Sequence, residues 1–427
     1  MSKKKSKNNI VEQNSIKGHK YRDLIVALCV NFYVKRGCSF RQTAGIMSDL
    51  NESLSLSLDS IPSPNTIKNW VLKAGYALYN EGVDEFKESE YCTISDESMM
   101  IGSEKMLLTL AANSEKSEKK ALAVNDIRII DISVAPSWSG ETISKVFSDI
   151  ETKMGKSPIY VISDNASTFN KAIRESGYPH IRDVSHSFAL ITKRIYENNE
   201  QFKSFTKALS SVSFKENMKL TAYLLPPKQR TTARFMNVAP LVEWAVKMHQ
   251  KLDNLSDVEQ ETYGFLKEDE AIIKELSEVF QMYESVLPML KIEGLSEKTK
   301  KRSIKLIRSF FKSKYSRVKK IAKEIKQFLT EEVKKQQNTK SVYNCSSDII
   351  ESLFGVYKNR KSKNKLNGVT NLVLFLPVMT KLNDENKTKL NFKEIMERTS
   401  LKEIHQWKKD NLTENLVVKR RKVLNAA

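Results

Sequence analysis

Apolar positions recur with two different periods along this chain, and the change from one to the other divides it. From Tyr21 to Tyr79 the period is helical: Leu24, Ile25, Leu28, Cys29 and Phe32 make one stripe, and Gly37 stops it. Ser39 to Met47 predicts a short second helix and Ser63 to Val71 a third, with Ser63 as its N-cap and Pro64 in the first helical position. Ile67, Val71 and Trp70 turn inward there, which leaves Asn65, Thr66, Lys68 and Asn69 on an outward face suited to a nucleic-acid groove. The serine-rich stretch from Asn51 to Ser60 separates the second and third helices by more than a tight turn, so a helix-turn-helix here is an expanded one. An ordinary three-helix packing module is the other reading of the same pattern.

Beyond Tyr91 the period changes to that of strands. Thr93 to Ile101, Lys105 to Ala112 and Ile127 to Val134 predict an antiparallel meander. A helix from Gly140 to Lys153 follows, then an apolar strand from Ile159 to Ser163, a helix near Ser167 to Glu175 and a strand near His180 to Val184. From Asn199 to Tyr343 the period is helical again, in segments such as Val238 to Lys251, Val258 to Leu287 and Ser296 to Gln337. Most apolar positions in that region are core. The fold class is therefore α/β, with a strand-containing part and a large all-helical region.

Two of the strand-like segments end on a carboxylate, in Ile94-Ser95-Asp96-Glu97-Ser98 and Val161-Ile162-Ser163-Asp164-Asn165, and a third run, Ser347-Asp348-Ile349-Ile350-Glu351, opens a helix. Carboxylates brought together from separate elements suit two Mg²⁺ or Mn²⁺ ions, roughly 3.5–4 Å apart, of the kind that serve phosphodiester displacement. Each acid also has a plainer reading. Asp96 shares a strand face with Ile94 while Glu97 points the other way, so Asp96 is the candidate and Glu97 its substitute. Asp164 has the character of an N-cap. Asp348 and Glu351 have the spacing of a capping box, and Asp348 is the substitute for Glu351 as third acid. On the helical wheel, however, Ile349, Ile350, Leu353, Phe354 and Tyr357 form the apolar stripe, which leaves Glu351 with Gly355 and Lys358 on the opposite side. Lys358 is there a candidate phosphate ligand.

Charge changes the picture most. The chain of 427 residues carries 71 Lys and Arg against 51 Asp and Glu, a formal charge of +20 that points to a polyanionic partner. The basic residues are densest from Lys298 to Lys335, with a second run at Lys419-Arg420-Arg421-Lys422. Arg230, Arg234 and the lysines of the last helices of the helical region are candidates for phosphate contact, as are Lys361, Lys363 and Lys365 after the third acid. Trp138 and Trp244 are candidates for stacking on an unpaired base, although a buried aromatic is the commoner fate. No apolar run approaches the roughly 18 residues that would span a bilayer. The polar, basic start at Met1-Ser2-Lys3-Lys4-Lys5 does not read as a secretory signal. Cys29, Cys38, Cys92 and Cys345 lack metal-ligand spacing and read as reduced thiols.

The order β-β-β-α-β-α-β, with acids at Asp96 and Asp164 and a third at Glu351, resembles the DDE transposases of the ribonuclease H superfamily. Asp183-Val184-Ser185-His186, about twenty residues after the second acid, is similar to the C/DxxH signature of Mutator-like and hAT-like elements. The resemblance covers about Tyr91 to Lys363. It implies a ribonuclease-H-like mixed five-stranded sheet with flanking helices, an all-α insertion before the last catalytic helix, and an N-terminal helix-turn-helix-like domain. The corresponding divisions are a basic flexible tail (1–20), a DNA-binding domain (21–90), the first part of the catalytic core (91–198), the insertion (199–343), the last part of the core (344–385) and a basic helical end (386–427).

By the same resemblance Asp96, Asp164 and Glu351 hold two Mg²⁺ (or Mn²⁺) ions, and His186 lies near the catalytic centre, either taking part or bonding structurally to Asp183. The implied activity is hydrolytic nicking of element ends and joining of the 3′-hydroxyl to target DNA. It implies as partners double-stranded DNA and a homodimer or larger assembly, with no membrane and no small-molecule substrate, and a location in the cytoplasm or nucleoid of a prokaryote or the nucleus of a eukaryote. A nuclease or resolvase of the same fold without strand transfer, and a domesticated DNA-binding protein that needs no acids, are the alternatives.

Overall fold

The structure is a computed structural model that describes residues 16–54, 58–116, 119–229, 234–336, 340–364, 366–382 and 390–426. The chain divides into two compact units. The first draws on Met1–Ser114, Leu122–His180 and Ser347–Ala427, the second on Glu115–Ala121 and Ile181–Ser346. In chain order the elements of the first unit begin with α1 (Asp23–Val34), α2 (Phe40–Leu54), α3 (Pro64–Asp84), β1 (Tyr91–Glu97), β2 (Lys105–Asn113), β3 (Ile127–Ala135), α4 (Gly140–Met154), β4 (Val161–Ser163), α5 (Ser167–Ser176) and β5 (His180–Arg182), within which the chain passes to the second unit. The second unit carries α6 (Val184–Tyr196), α7 (Glu200–Glu216), α8 (Ala239–Lys251), α9 (Asp257–Tyr263), α10 (Glu270–Glu293), α11 (Glu297–Leu306) and α12 (Ser316–Lys334). The first unit resumes with α13 (Asp348–Arg360), α14 (Phe375–Leu382), α15 (Phe392–Arg398), α16 (Leu401–Asn411) and α17 (Leu416–Asn425).

One mixed five-stranded sheet runs in the order β3-β2-β1-β4-β5, so the α/β class and the meander are as the hydrophobic pattern predicts. β1 pairs antiparallel with β2 and parallel with β4, which makes it an interior strand, and Tyr91 to Ser95 are all buried instead of alternating. Behind the sheet, Leu107, Ile130 and Val161 pack with Ile143, Phe147 and Ile150 of α4 and with Phe169 and Ile173 of α5. Ser139 caps α4 in a capping box with Thr142, and Gly155 ends it in the left-handed region.

The third helix is far longer than Ser63 to Val71. Ser63 accepts the Thr66 N–H and Pro64 opens the helix as expected, but α3 continues for 21 residues to Asp84. Beyond its first turn it buries Trp70, Val71, Leu72, Ala74, Ala77, Leu78 and Tyr79, packing against β3, α14, α15 and α16. Gly75 permits the closest of these approaches, since a Cβ there would sit 1.8 Å from the Leu374 carbonyl oxygen. Arg128 of β3, itself buried, grips Glu85 just past α3 with both nitrogens at 2.6 and 2.9 Å, and Lys381 of α14 bonds the same carboxylate.

The second unit is helical. Its core joins Phe188 of α6 to Tyr283 of α10 and Phe328 of α12, with ring centroids 5.0 and 6.0 Å apart. Two buried carboxylates sit among these helices. Glu332 takes the Arg182 Nε at 2.6 Å, the Arg182 backbone N–H at 2.9 Å and the Lys335 ammonium at 2.7 Å. Glu275 takes both ends of the Arg317 guanidinium at 2.6 and 2.8 Å and the Tyr196 hydroxyl at 2.6 Å. The stretch from Val258 to Leu287, expected as one helical run, is broken after Tyr263 and again at Asp269. Among the described residues no helix is long and apolar enough to cross a membrane, and the four cysteines are free thiols.

Candidate functional site

Strand register brings the first two acids together. Thr93 lies opposite Val161 and Ile94 opposite Ile162 in the parallel β1–β4 pair. Asp96 lies two residues beyond the last of these pairs on β1 and Asp164 follows the last residue of β4, so both acids stand at the carboxyl ends of adjacent parallel strands. Both side chains are half-buried at the rim of an otherwise buried sheet. One oxygen of each is oriented locally: Asp96 Oδ1 accepts the Glu97 N–H at 2.8 Å, and Asp164 Oδ1 accepts the Ala166 N–H at 3.0 Å. Asp164 is thus not the N-cap of α5, a position Ala166 fills. Beside it, Ser163 Oγ meets His180 Nε2 at 2.9 Å, a pairing that nothing in the sequence spacing announces.

Glu97, the substitute for Asp96, is engaged elsewhere, accepting the Lys105 ammonium across the β1–β2 pair at 2.7 Å.

The third acid comes from α13, which packs on β1. Ile349, Ile350, Leu353, Phe354 and Tyr357 are its buried residues, the stripe expected from the wheel, and Glu351 lies exposed on the other side. The N-cap of α13 is Ser347, so Asp348 occupies the first helical position instead of capping. Lys358 stands two turns beyond Glu351 on the same helix. Burial lowers its pKa, while the negative charges of Asp96 and then of Glu351 pull it back up, so both carboxylates lie within Coulombic reach of one ammonium. Among the described residues no group of three or more His, Cys, Asp or Glu side chains is gathered closely enough to hold a metal ion.

His186 belongs to the second unit. Asp183 there is fully buried as the N-cap of α6, and its Oδ1 accepts both the His186 backbone N–H at 2.7 Å and the His186 Nδ1 at 3.0 Å. The histidine ring is held in place by the acid three residues before it, and remains half-exposed.

The candidate DNA contacts meet different fates. In the first turn of α3, Asn65 is exposed and Lys68 and Asn69 are half-exposed, while the Thr66 hydroxyl bonds the Ser63 Oγ at 2.9 Å. Lys361 bonds the Ser362 carbonyl just past α13, and Lys363 is exposed. Arg230, Lys365 and the side chain of Arg234 lie outside the described residues. Trp138 donates to the Lys105 carbonyl at 3.3 Å and packs on the sheet's core, and Trp244 donates to the Leu224 carbonyl at 3.1 Å and meets Tyr263 edge-on. Both are built into the fold. Comparison with models of known families and with curated proteins finds no match for this chain.

Proposed function

We propose that this chain is a DDE-type DNA transposase with a ribonuclease-H-like core, in which the helical region 199–343 is an insertion ahead of the last catalytic helix. The observation that carries the reading is the parallel register of β1 on β4, which points Asp96 and Asp164 to the same sheet rim, together with α13 on β1 and an ammonium, Lys358, that feels both Asp96 and Glu351. The net charge of +20 supports a DNA partner.

Asp96, Asp164 and Glu351, which would have to draw closer together than they stand here, would hold two Mg²⁺ or Mn²⁺ ions, for which hard carboxylate oxygens are the right donors. Such ions stabilise the attacking and leaving oxygens of an in-line phosphodiester displacement. The protein's own part is orientation. The Glu97 and Ala166 amides each fix one carboxylate oxygen, the stripe of α13 fixes the helix that presents Glu351, and Lys358 offsets negative charge at the rim. Asn65, Lys68 and Asn69 would meet an element end, and the Asp183–His186 pair would act as a structural brace. Double-stranded DNA ends and target DNA are the partners, in an assembly of two or more copies, located in the nucleoid or nucleus according to the host.

The test is Mg²⁺-dependent cleavage and strand joining on DNA carrying the gene's flanking ends, comparing the parent with Asp164→Ala. The expected result is loss of both activities by on the order of 10³-fold or more, with DNA binding retained. Cleavage without joining would indicate a nuclease or resolvase. Binding with no metal-dependent chemistry in the parent would indicate a domesticated DNA-binding protein.

A further inference from the structure

Helix α12 of the second unit segregates its charge by sign. Its buried face is Val318, Ile321, Ala322, Ile325, Phe328, Leu329 and Val333. Its acids lie along one flank and are tied inward: Glu324 to Arg194 at 2.7 Å, Glu331 to Arg182 at 2.9 Å and Glu332 to Arg182 at 2.6 Å. Lys320, Lys323, Lys326 and Lys334 are left on the exposed face with half-buried Lys319 beside them, and none of the five ion-pairs with a carboxylate among the described residues. A typical solvated helix mixes the signs on its outer face, because an i,i+4 Glu–Lys pair contributes a few tenths of a kcal/mol there. Here the acids are engaged by Arg182, Arg194 and Lys335 and not by these five lysines.

The geometry of that face is linear. From Lys319 to Lys334 the helix rises about 22 Å at 1.5 Å per residue. One strand of B-DNA presents a phosphate every 3.4 Å or so of axis, so the face spans roughly six phosphates. Along it runs a groove of about 530 Å³, walled on the far side by Phe311 and on the α12 side by Lys323, Lys326, Gln327, Thr330, Lys334 and one acid, Glu331, which Arg182 engages. The 3₁₀ turn that supplies Phe311 also presents Arg308 and Lys312 to solvent. Lysine suits a phosphate as a point charge and brings no bidentate reading of a base edge.

We infer that the lysine face of α12 is a track for the phosphate backbone of duplex DNA, gripped without regard to sequence. This rests on the DNA partner proposed above and is independent of the acids. The test titrates full-length protein, without added metal, onto a fluorescent duplex of arbitrary sequence across roughly 50–200 mM salt. The parent is compared with Lys323→Gln/Lys326→Gln and with Lys207→Gln/Lys215→Gln, which removes equal charge from exposed positions of α7. Glutamine keeps the helix propensity of lysine, and equal melting temperatures verify the fold.

The expected outcome is that the α12 variant loses about 1.8 from the slope of log K against log salt and about tenfold or more in affinity, while the α7 variant keeps the parental slope. Equal slopes for the two variants, or a parent that prefers single strands, would overturn the track while leaving DNA as the partner. A parent that binds no duplex would overturn the track and the proposed DNA partner together.

Discussion

Acids in the two units are held in opposite ways. Within the second unit, Glu332 and Glu275 are almost wholly buried, and each is met by a guanidinium plus at least one further donor at hydrogen-bond distance. At the sheet's rim in the first unit, Asp96 and Asp164 are half-buried, Glu351 is exposed, and the cation near Asp96 and Glu351 is a lysine pressed by its own desolvation. Arg fixes a carboxylate in a rigid, bidentate geometry, whereas Lys offers one compact charge on a flexible stem. The first arrangement holds helices in place. The second leaves carboxylates at a sheet rim, with a lysine as the cation near two of them.

Stability measurements can break this contrast. The largest effect belongs to Glu332→Ala, which leaves the Lys335 ammonium without its carboxylate and the Arg182 guanidinium with only the more exposed Glu331. A loss of about 3–5 kcal/mol is expected in the denaturant transition of the second unit. A loss under 1 kcal/mol would show that the pair holds nothing.

Glu85 sharpens the comparison because it lies in the first unit yet is held as the second unit's acids are. Burial alone would raise its pKa, but the bonds from Arg128 and then Lys381 outweigh it and bring the carboxyl down to about 2 from 4.5. A depressed folded-state pKa gives stability that is complete above about pH 4.5 and lost as the pH falls toward 2. The loss over that window is expected to be on the order of 2 kcal/mol after allowance for its partial exposure, and Glu85→Gln should flatten it. A pH profile identical in the two proteins would remove Glu85 from the structural group.

The smallest effect falls at the rim. Asp96→Asn should shift folding stability by less than about 0.5 kcal/mol, as a half-exposed residue with a local backbone bond. A loss above about 2 kcal/mol in chemical denaturation would place Asp96 with the structural acids instead.

What was legible in the sequence followed local chemistry. An apolar run ending on an acid located β1 and β4 and their rim residues. Ser63-Pro64 located the start of α3, and the wheel of α13 separated Glu351 from its buried neighbours. The end of α3 was illegible because Ala74, Gly75, Ala77 and Leu78 are buried on several sides and show no outward polar face to mark a period. The breaks near Gly264 and Asp269 were hidden by an apolar spacing that continues across them. The pairing of Arg182 with Glu332, 150 residues away, has no sequence signal. Nor does the closeness of Lys358 to Asp96, whereas the wheel of α13 already sets Lys358 on the side of Glu351.

The close approach of Gly75 to Leu374 has a consequence for the order of events during synthesis. The two residues lie about 300 positions apart, so the contact between them cannot form until the chain has been made as far as Leu374. The second unit is drawn almost wholly from one continuous stretch and has all its segments in hand by Ser346. Its helices can condense while α3 still waits for α14, and the waiting helix carries Leu72, Leu78 and Tyr79, side chains that the finished fold buries. The long-range closure that seats α3 is therefore the late, aggregation-exposed step in the life of this protein.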